Sequence, residues 1–170
     1  MSTSANAIDP LLLPYRACVG IMLINADGLI WVGRRCLNNV EAGENWQMPQ
    51  GGIDGEEAPG LAAFRELAEE TGTDKAEIIG EARDWLHYDL PPALLGTALH
   101  GKYRGQKQKW FAMRFTGADT DFNIHNPPGG VEPEFEDWRW ASSGELPSLI
   151  VPFKRDVYEA VIDEFRALIR

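Results

Sequence analysis

At 170 residues the chain has room for one domain with a full core, and not for two of ordinary size. Its 44% hydrophobic and 25% charged residues exclude a disordered, collagenous or low-complexity protein. A net charge of −10 argues against coating nucleic acid or anionic lipid through the overall field. That charge is unevenly placed. Glu41 to Glu81 holds eleven acids against two bases, a local −9, whereas Leu90 to Ala118 holds five bases (Lys102, Arg104, Lys107, Lys109, Arg114) and no acid.

Residues 1–14 read as a short N-terminal tail. It has no basic stretch, and its apolar run Leu11-Leu12-Leu13 stops at Pro14, too short for a signal or membrane span. A cytoplasmic protein with one domain over 15–170, without a membrane partner, is the expectation. Cys18 and Cys36 are too few for a disulfide framework and lack Cys-x-x-Cys spacing. Arg16 to Ile24, the turn Asn25-Ala26-Asp27-Gly28 and Leu29 to Arg34 predict a β-hairpin. Leu37 to Asn45 is polar and loop-like. Gln50 to Gly55, punctuated by three glycines, is also expected to be loop. Pro59 suits the first turn of a helix running to about Thr71, with Gly72 as its stop. Strands are expected around Glu77 to Arg83, Trp85 to Leu90, Gln106 to Phe115 and Trp138 to Ala141. Val157, Val161, Ile162, Phe165, Leu168 and Ile169 then recur at helical spacing. Strands with one internal and one terminal helix predict an α/β (α+β) domain, an α/β/α sandwich around a mixed sheet.

The first helix carries the chemistry. On a wheel of about 100° per residue with Glu66 at zero, Glu69 falls at about −60° and Glu70 at about +40°. Three carboxylates thus crowd one face. Leu61, Phe64, Leu67 and Ala68 fall opposite, predicting a helix docked by those residues with its glutamates outward. Ala62 and Ala63, on the carboxylate side, would leave room for something bulky. Like charges at i, i+4 destabilise a helix slightly unless a cation intervenes. Clustered carboxylate oxygens suit Mg²⁺ or Mn²⁺. The spacing of His87, His100 and His125 argues against zinc. Arg65, adjacent on the wheel, can hold a carboxylate bidentately.

Written out, the pattern is Gly51-x₅-Glu57-x₇-Arg65-Glu66-Leu67-x-Glu69-Glu70-x-Gly72. It resembles the Nudix box, the loop-helix-loop signature of enzymes that hydrolyse a nucleoside diphosphate linked to another group. Every fixed glycine, glutamate and arginine is present; the departure is Thr73, where an aliphatic residue is usual. The resemblance implies the Nudix fold, with Glu66, Glu69, Glu70 and the Gly51 carbonyl coordinating Mg²⁺ (or Mn²⁺). More than one ion is expected with substrate bound. Glu57 and Arg65 would orient the helix and its carboxylates.

Further segments are similar to the branch comprising bacterial RNA pyrophosphohydrolases and dinucleoside tetraphosphate hydrolases. They include Tyr15-Arg16, Trp46-Gln47-Met48-Pro49-Gln50-Gly51-Gly52, Trp85-Leu86-His87-Tyr88, Gly105-Gln106-Lys107-Gln108-Lys109-Trp110, Pro133-Glu134-Phe135 and Phe153-Lys154-Arg155-Asp156. The likeness runs from about Tyr15 to the C-terminus. It implies a substrate that is a nucleotide polyphosphate or a 5′-phosphorylated RNA end. It also implies a role for Glu134 as a further ligand or as the base, with Glu70 the other candidate base. Lys107 and Lys109, two apart on a strand, share a face and could meet successive phosphates, and Arg16 could clamp phosphate oxygens. Arg35, Tyr88 and Phe153 are candidate base contacts, and Gln47 and Gln50 complete the implied substrate set. A monomer or weak dimer is expected. Two other readings stay open: a Nudix pyrophosphatase for another small nucleotide, and a non-catalytic nucleotide-binding Nudix module.

Overall fold

The computed structural model describes residues 9–35 and 45–169. The loop expected over Leu37 to Asn45 lies outside these residues except for Asn45, as does Cys36. Eight strands and three helices follow in order among the described residues. They are β1 (Tyr15–Ile24), β2 (Ile30–Arg35), β3 (Trp46–Gln47), β4 (Gln50–Gly52), α1 (Pro59–Thr71), β5 (Ala76–Glu81), β6 (Leu86–Asp89), β7 (Gly105–Phe115), β8 (Phe135–Ala141), α2 (Leu146–Leu149) and α3 (Arg155–Phe165).

β1 and β7 form the centre, a parallel pair in register from Tyr15 opposite Gly105 to Ile24 opposite Arg114. Strands buried on both faces read as nearly continuous apolar runs, and Cys18 to Ile24 is such a run. The other pairings are antiparallel, so the sheet is mixed as expected. The strand order is β3-β2-β1-β7-β5, with β4 added to β1, β6 to β7 and β8 to β2.

Side chains alternate across the sheet. Met22, Ile24, Trp110 and Ala112 pack with Val157, Val161 and Phe165 of α3. Val19, Ile21, Leu23, Phe111 and Met113 pack on the other face with Ala62, Ala63 and Leu67 of α1. One helix on each face gives the α/β/α sandwich. The predicted hairpin forms, its turn held by the Asn25 side-chain oxygen accepting from the Asp27 and Leu29 amides. β1 and β2 then pair only at Ile24 and Ile30. Beyond that point β2 takes β3 and β8, β1 takes β4, and a fork opens between them.

Two expectations are overturned. Gln50–Gly52 is strand rather than loop, with Gly51 opposite Val19 and Gly52 opposite Cys18. Glycine serves close approach here: a β-carbon on Gly51 would strike the Glu66 carboxyl, and one on Gly52 the Arg16 guanidinium. The docking face of α1 also differs. Ala62, Ala63, Glu66, Leu67, Glu70 and Thr71 are buried, while Leu61 is 67% exposed. The two alanines lie on the carboxylate side as read, but their small size lets the helix seat on the sheet, so two glutamates go inward with it.

Candidate active site

Pro59 at the first turn and Gly72 at the C-cap bound α1 as expected, with Gly72 left-handed at φ 87° and its amide donating to Ala68 O at 3.0 Å. The helix N-terminus is steered by Arg65. Its Nε and Nη2 donate to the two Glu57 oxygens at 3.0 and 2.9 Å, and Nη2 also reaches the Gly52 carbonyl at 2.8 Å. Nη1 donates to Glu66 at 2.8 Å and to Glu69 at 3.2 Å. Glu57 in turn accepts from the Asp54 amide at 3.2 Å. A planar guanidinium therefore ties loop, strand and helix in one fork, and its hydrogen bonds hold the Glu57 carboxyl below the usual carboxylate range.

The inward carboxylates are Glu66 and Glu70, 9% and 8% exposed. Burial raises the Glu66 carboxyl to about 7, against the opposing pull of Arg65. Burial also pushes the Glu70 carboxyl well up, and the charges of Glu134 and Glu66 push it further, while a hydrogen bond from the Gln50 amide at 3.1 Å opposes them. Gly51 lies directly beneath Glu66. Gly51→Ala is therefore expected to displace the Glu66 carboxyl and weaken Mg²⁺ or Mn²⁺ binding at least about tenfold, since ligand geometry governs affinity. The check is metal-dependent thermal stabilisation, and wild-type metal affinity in this variant would show the contact to be unimportant.

Glu134 precedes β8 at the mouth of the fork and pairs with Arg35 of β2 at 3.0 Å. Tyr88 and Phe153 are brought together, ring centres 5.6 Å apart, although Tyr88 is only 7% exposed and belongs to the core. On the same sheet face Gln50 accepts from Gln108 at 2.7 Å, Gln108 donates to Gln106 at 2.9 Å, and Arg16 lies against Gly52. The sequence reasoning assigned no role to Lys154, which the structure makes prominent. It is 7% exposed, with its ammonium 5.3 Å from the Tyr88 ring centre and 5.9 Å from that of Phe153. Burial first, then the nearby Arg35 charge, lower it to about 8. A lysine beside Phe153 at a helix start was the available signal.

Lys107 and Lys109 do share a face, but it is the α1 face, four and two residues from Phe111, and not the face of Arg16, Gln106 and Tyr88. Lys109 donates to the Ala82 carbonyl at 2.6 Å and the Arg83 carbonyl at 3.2 Å, fastening the β5–β6 link. Arg104 pairs with Asp89 at 3.0 Å. The basic run therefore does not form one strip facing the carboxylates, because alternation along β7 and local partners divide it. Gln47, opposite Gly33, is 1% exposed, and neither of its amide atoms has a hydrogen-bond partner among the described residues.

Two buried carboxylates, with Glu134 in electrostatic reach of Glu70, form a donor set of hard oxygens that calls for a cation, and so fits a divalent ion. Among the described residues no three His, Cys, Asp or Glu side chains stand in ready ligand geometry. Arg65 holds Glu66 and Glu69, and Arg35 holds Glu134. No helix among the described residues is long and apolar enough to cross a membrane.

The chain is 54% identical over 165 residues to an RNA pyrophosphohydrolase of Brucella abortus (strain 2308), covering 95% of this chain and 93% of that one. It is 53% identical to an RNA pyrophosphohydrolase of Brucella anthropi, covering 99% of each. The fold is similar to that of the MutT protein from Methanosarcina mazei Go1, with TM-score 0.64 at 19% identity over 90% of this chain and 96% of that one. It is also similar to a C. elegans Ap4A hydrolase in a binary complex, with TM-score 0.61 at 16% identity and the same coverage. The NUDIX domain family matches residues 14–161, which include the Gly51-to-Gly72 loop and helix with its buried glutamates and their arginine fork. The chain belongs to the NUDIX family.

Proposed function

We propose that this chain is a divalent-metal-dependent hydrolase of phosphoric anhydride bonds. It removes pyrophosphate, or successive phosphates, from 5′-triphosphorylated RNA ends, with cleavage of diadenosine tetraphosphate to ATP and AMP as a second activity of the same site. The observation that carries this reading is the gathering of Glu66, Glu70 and Glu134 at one fork beside Lys154 and Arg35, in a chain more than half identical to RNA pyrophosphohydrolases. The fold likeness to an Ap4A hydrolase favours the second substrate no further than shared architecture.

Glu66, Glu69, Glu70 and the Gly51 carbonyl would hold Mg²⁺ or Mn²⁺, with Glu134 available for a further ion. When bound, such ions supply charge neutralisation on phosphate oxygens and lower the pKa of water. Glu70 or Glu134 is the candidate acceptor for the proton of the attacking water. Glu57 and Arg65 act through the other glutamates, positioning them. Lys154 and Arg16 meet phosphate charge, and Lys154, lowered only to about 8, stays mostly cationic near neutral pH. Gln50 completes the polar wall that Gln106 and Gln108 continue. Arg35 and Phe153 flank the position of a base, with Tyr88 supporting Phe153. Gln47 brings an amide whose two polar atoms have no hydrogen-bond partner among the described residues. Lys107 and Lys109 lie off this face. A cytoplasmic enzyme acting as a monomer or weak dimer completes the proposal.

The test is kcat/KM for 5′-triphosphorylated RNA and diadenosine tetraphosphate, side by side, over a Mg²⁺ titration. Metal-dependent turnover of the RNA is expected. Binding of both without hydrolysis of either would overturn the enzyme reading in favour of a nucleotide-binding module.

A further inference from the structure

The sheet face that carries α1 continues past the helix at the start of β1 and β7. There it displays Tyr15, Trp85, His87 and Lys107, with Arg104 at the rim; Tyr15 stands opposite Gly105 and His87 opposite Lys107. The Tyr15 and His87 rings meet edge to face with centres 4.9 Å apart. The Arg104 guanidinium lies 4.7 Å from the Tyr15 ring centre and the Lys107 ammonium 5.5 Å from that of Trp85. His87 is exposed, and Tyr15, Trp85 and Lys107 are half-buried. None of them joins either hydrophobic cluster. These rings are therefore not there to fill the core.

We propose that this open face is a track for the single-stranded RNA that follows the phosphorylated 5′ end. Bases stack on Tyr15, Trp85 and His87 while phosphates meet Lys107 and Arg104. Non-specific single-strand sites combine these two elements, aromatic platforms and a basic path beside them. β6 supplies the route. Among the described residues it pairs only with β7, and its consecutive residues face opposite sides, so Tyr88 looks toward the active site and His87 toward the open face. A strand whose first nucleotide sits beside Tyr88 rounds one free edge to reach His87. Charge favours RNA over a protein partner. Arg104 is shared with Asp89, but Lys107 has no carboxylate partner among the described residues, and lysine is depleted at the centres of protein interfaces.

The proposal rests on the RNA-end reading, and its test separates the two. Fluorescence anisotropy with a 5′-hydroxyl RNA of about 15 nucleotides, within the range of single-strand sites, reads the track without the triphosphate. The Trp85→Ala, His87→Ala double variant should weaken that binding about tenfold. It should also lower kcat/KM on triphosphorylated RNA of that length through KM, leaving a triphosphorylated dinucleotide unaffected. His87→Glu, at an exposed position, should give a smaller loss in the same direction without a folding defect. Unchanged binding in both variants overturns the track, as do equal losses on long and short substrates. Loss of dimerisation in sedimentation with RNA binding intact overturns it in favour of a second copy of this chain. If wild type hydrolyses no triphosphorylated RNA, the functional reading fails, and the 5′-hydroxyl binding still decides the track.

Discussion

Glu70→Gln is expected to abolish turnover, on the order of a thousandfold, while making the metal-free protein more stable at pH 8. Glu70 is buried, and its carboxyl is raised by that burial and by the Glu134 and Glu66 charges. Between the ordinary value of 4.5 and the raised one, the folded state binds the proton more tightly than the unfolded state. Stability is then greatest below 4.5 and falls as pH rises through that window. Glutamine is neutral, keeps the shape, and retains an oxygen to accept from the Gln50 amide. Without metal the variant should therefore melt at a higher temperature than wild type at pH 8. Glu66, raised to about 7, gives the remaining pH dependence the same sign, so metal-free wild type should lose stability between pH 5 and about pH 7. Mg²⁺ should restore more stability to wild type at pH 8 than at pH 6, and little to Glu70→Gln. Melting curves across pH with and without Mg²⁺ are the measurement. A lower melting temperature for Glu70→Gln at pH 8 would mean that the carboxylate stabilises the fold, contrary to its burial.

Arg65→Lys should be nearly as damaging as Arg65→Ala, though it preserves charge. The guanidinium makes two bonds to Glu57, two to Glu69 and single bonds to Gly52 O and Glu66 at once, a planar fork that one ammonium cannot reproduce. Without it Glu66 keeps its burial and loses its nearest counter-charge. A stability loss of about 2 kcal/mol is expected in the absence of metal. Activity should fall at least about a hundredfold, because the carboxylates are displaced and not removed. The diagnostic feature is partial recovery at high Mg²⁺, which a displaced ligand set permits and a missing ligand does not. Wild-type kcat/KM in Arg65→Lys at low Mg²⁺ would overturn the positioning role.

Much of this site is legible along the chain because its determinants are local. Pro59 and Gly72 punctuate one helix, and Arg65, Glu66, Glu69 and Glu70 fall on one arc of it by 3.6-residue geometry alone. The same period was no guide to the helix's depth. Ala62, Ala63 and Leu67 seat on Val19, Ile21 and Leu23, and that contact buries Glu66 and Glu70 instead of presenting them to solvent. Gly51 and Gly52 read as breakers from composition. Only the approach of Glu66 and Arg16 from either side of β4 explains their place in a strand.

The class of chemistry was legible along the chain through the resemblance to the Nudix box, since the residue types and spacings that carry it are one-dimensional properties, while the carboxylate cluster alone would fit a solvated helix face. The sequence by itself also determined the sandwich, because the apolar periods of the strands and of the last helix require two covered faces. The tertiary structure decided the partners. Whether Lys107 stands with Arg16 depends on which side of the sheet each residue of β7 takes. Whether Lys154 matters depends on a turn brought back to β6 from far along the chain. Burial, pairing across the fork and the counter-charges of Arg65 and Arg35 arise only between segments distant in sequence, and they set the proton affinities of the glutamates.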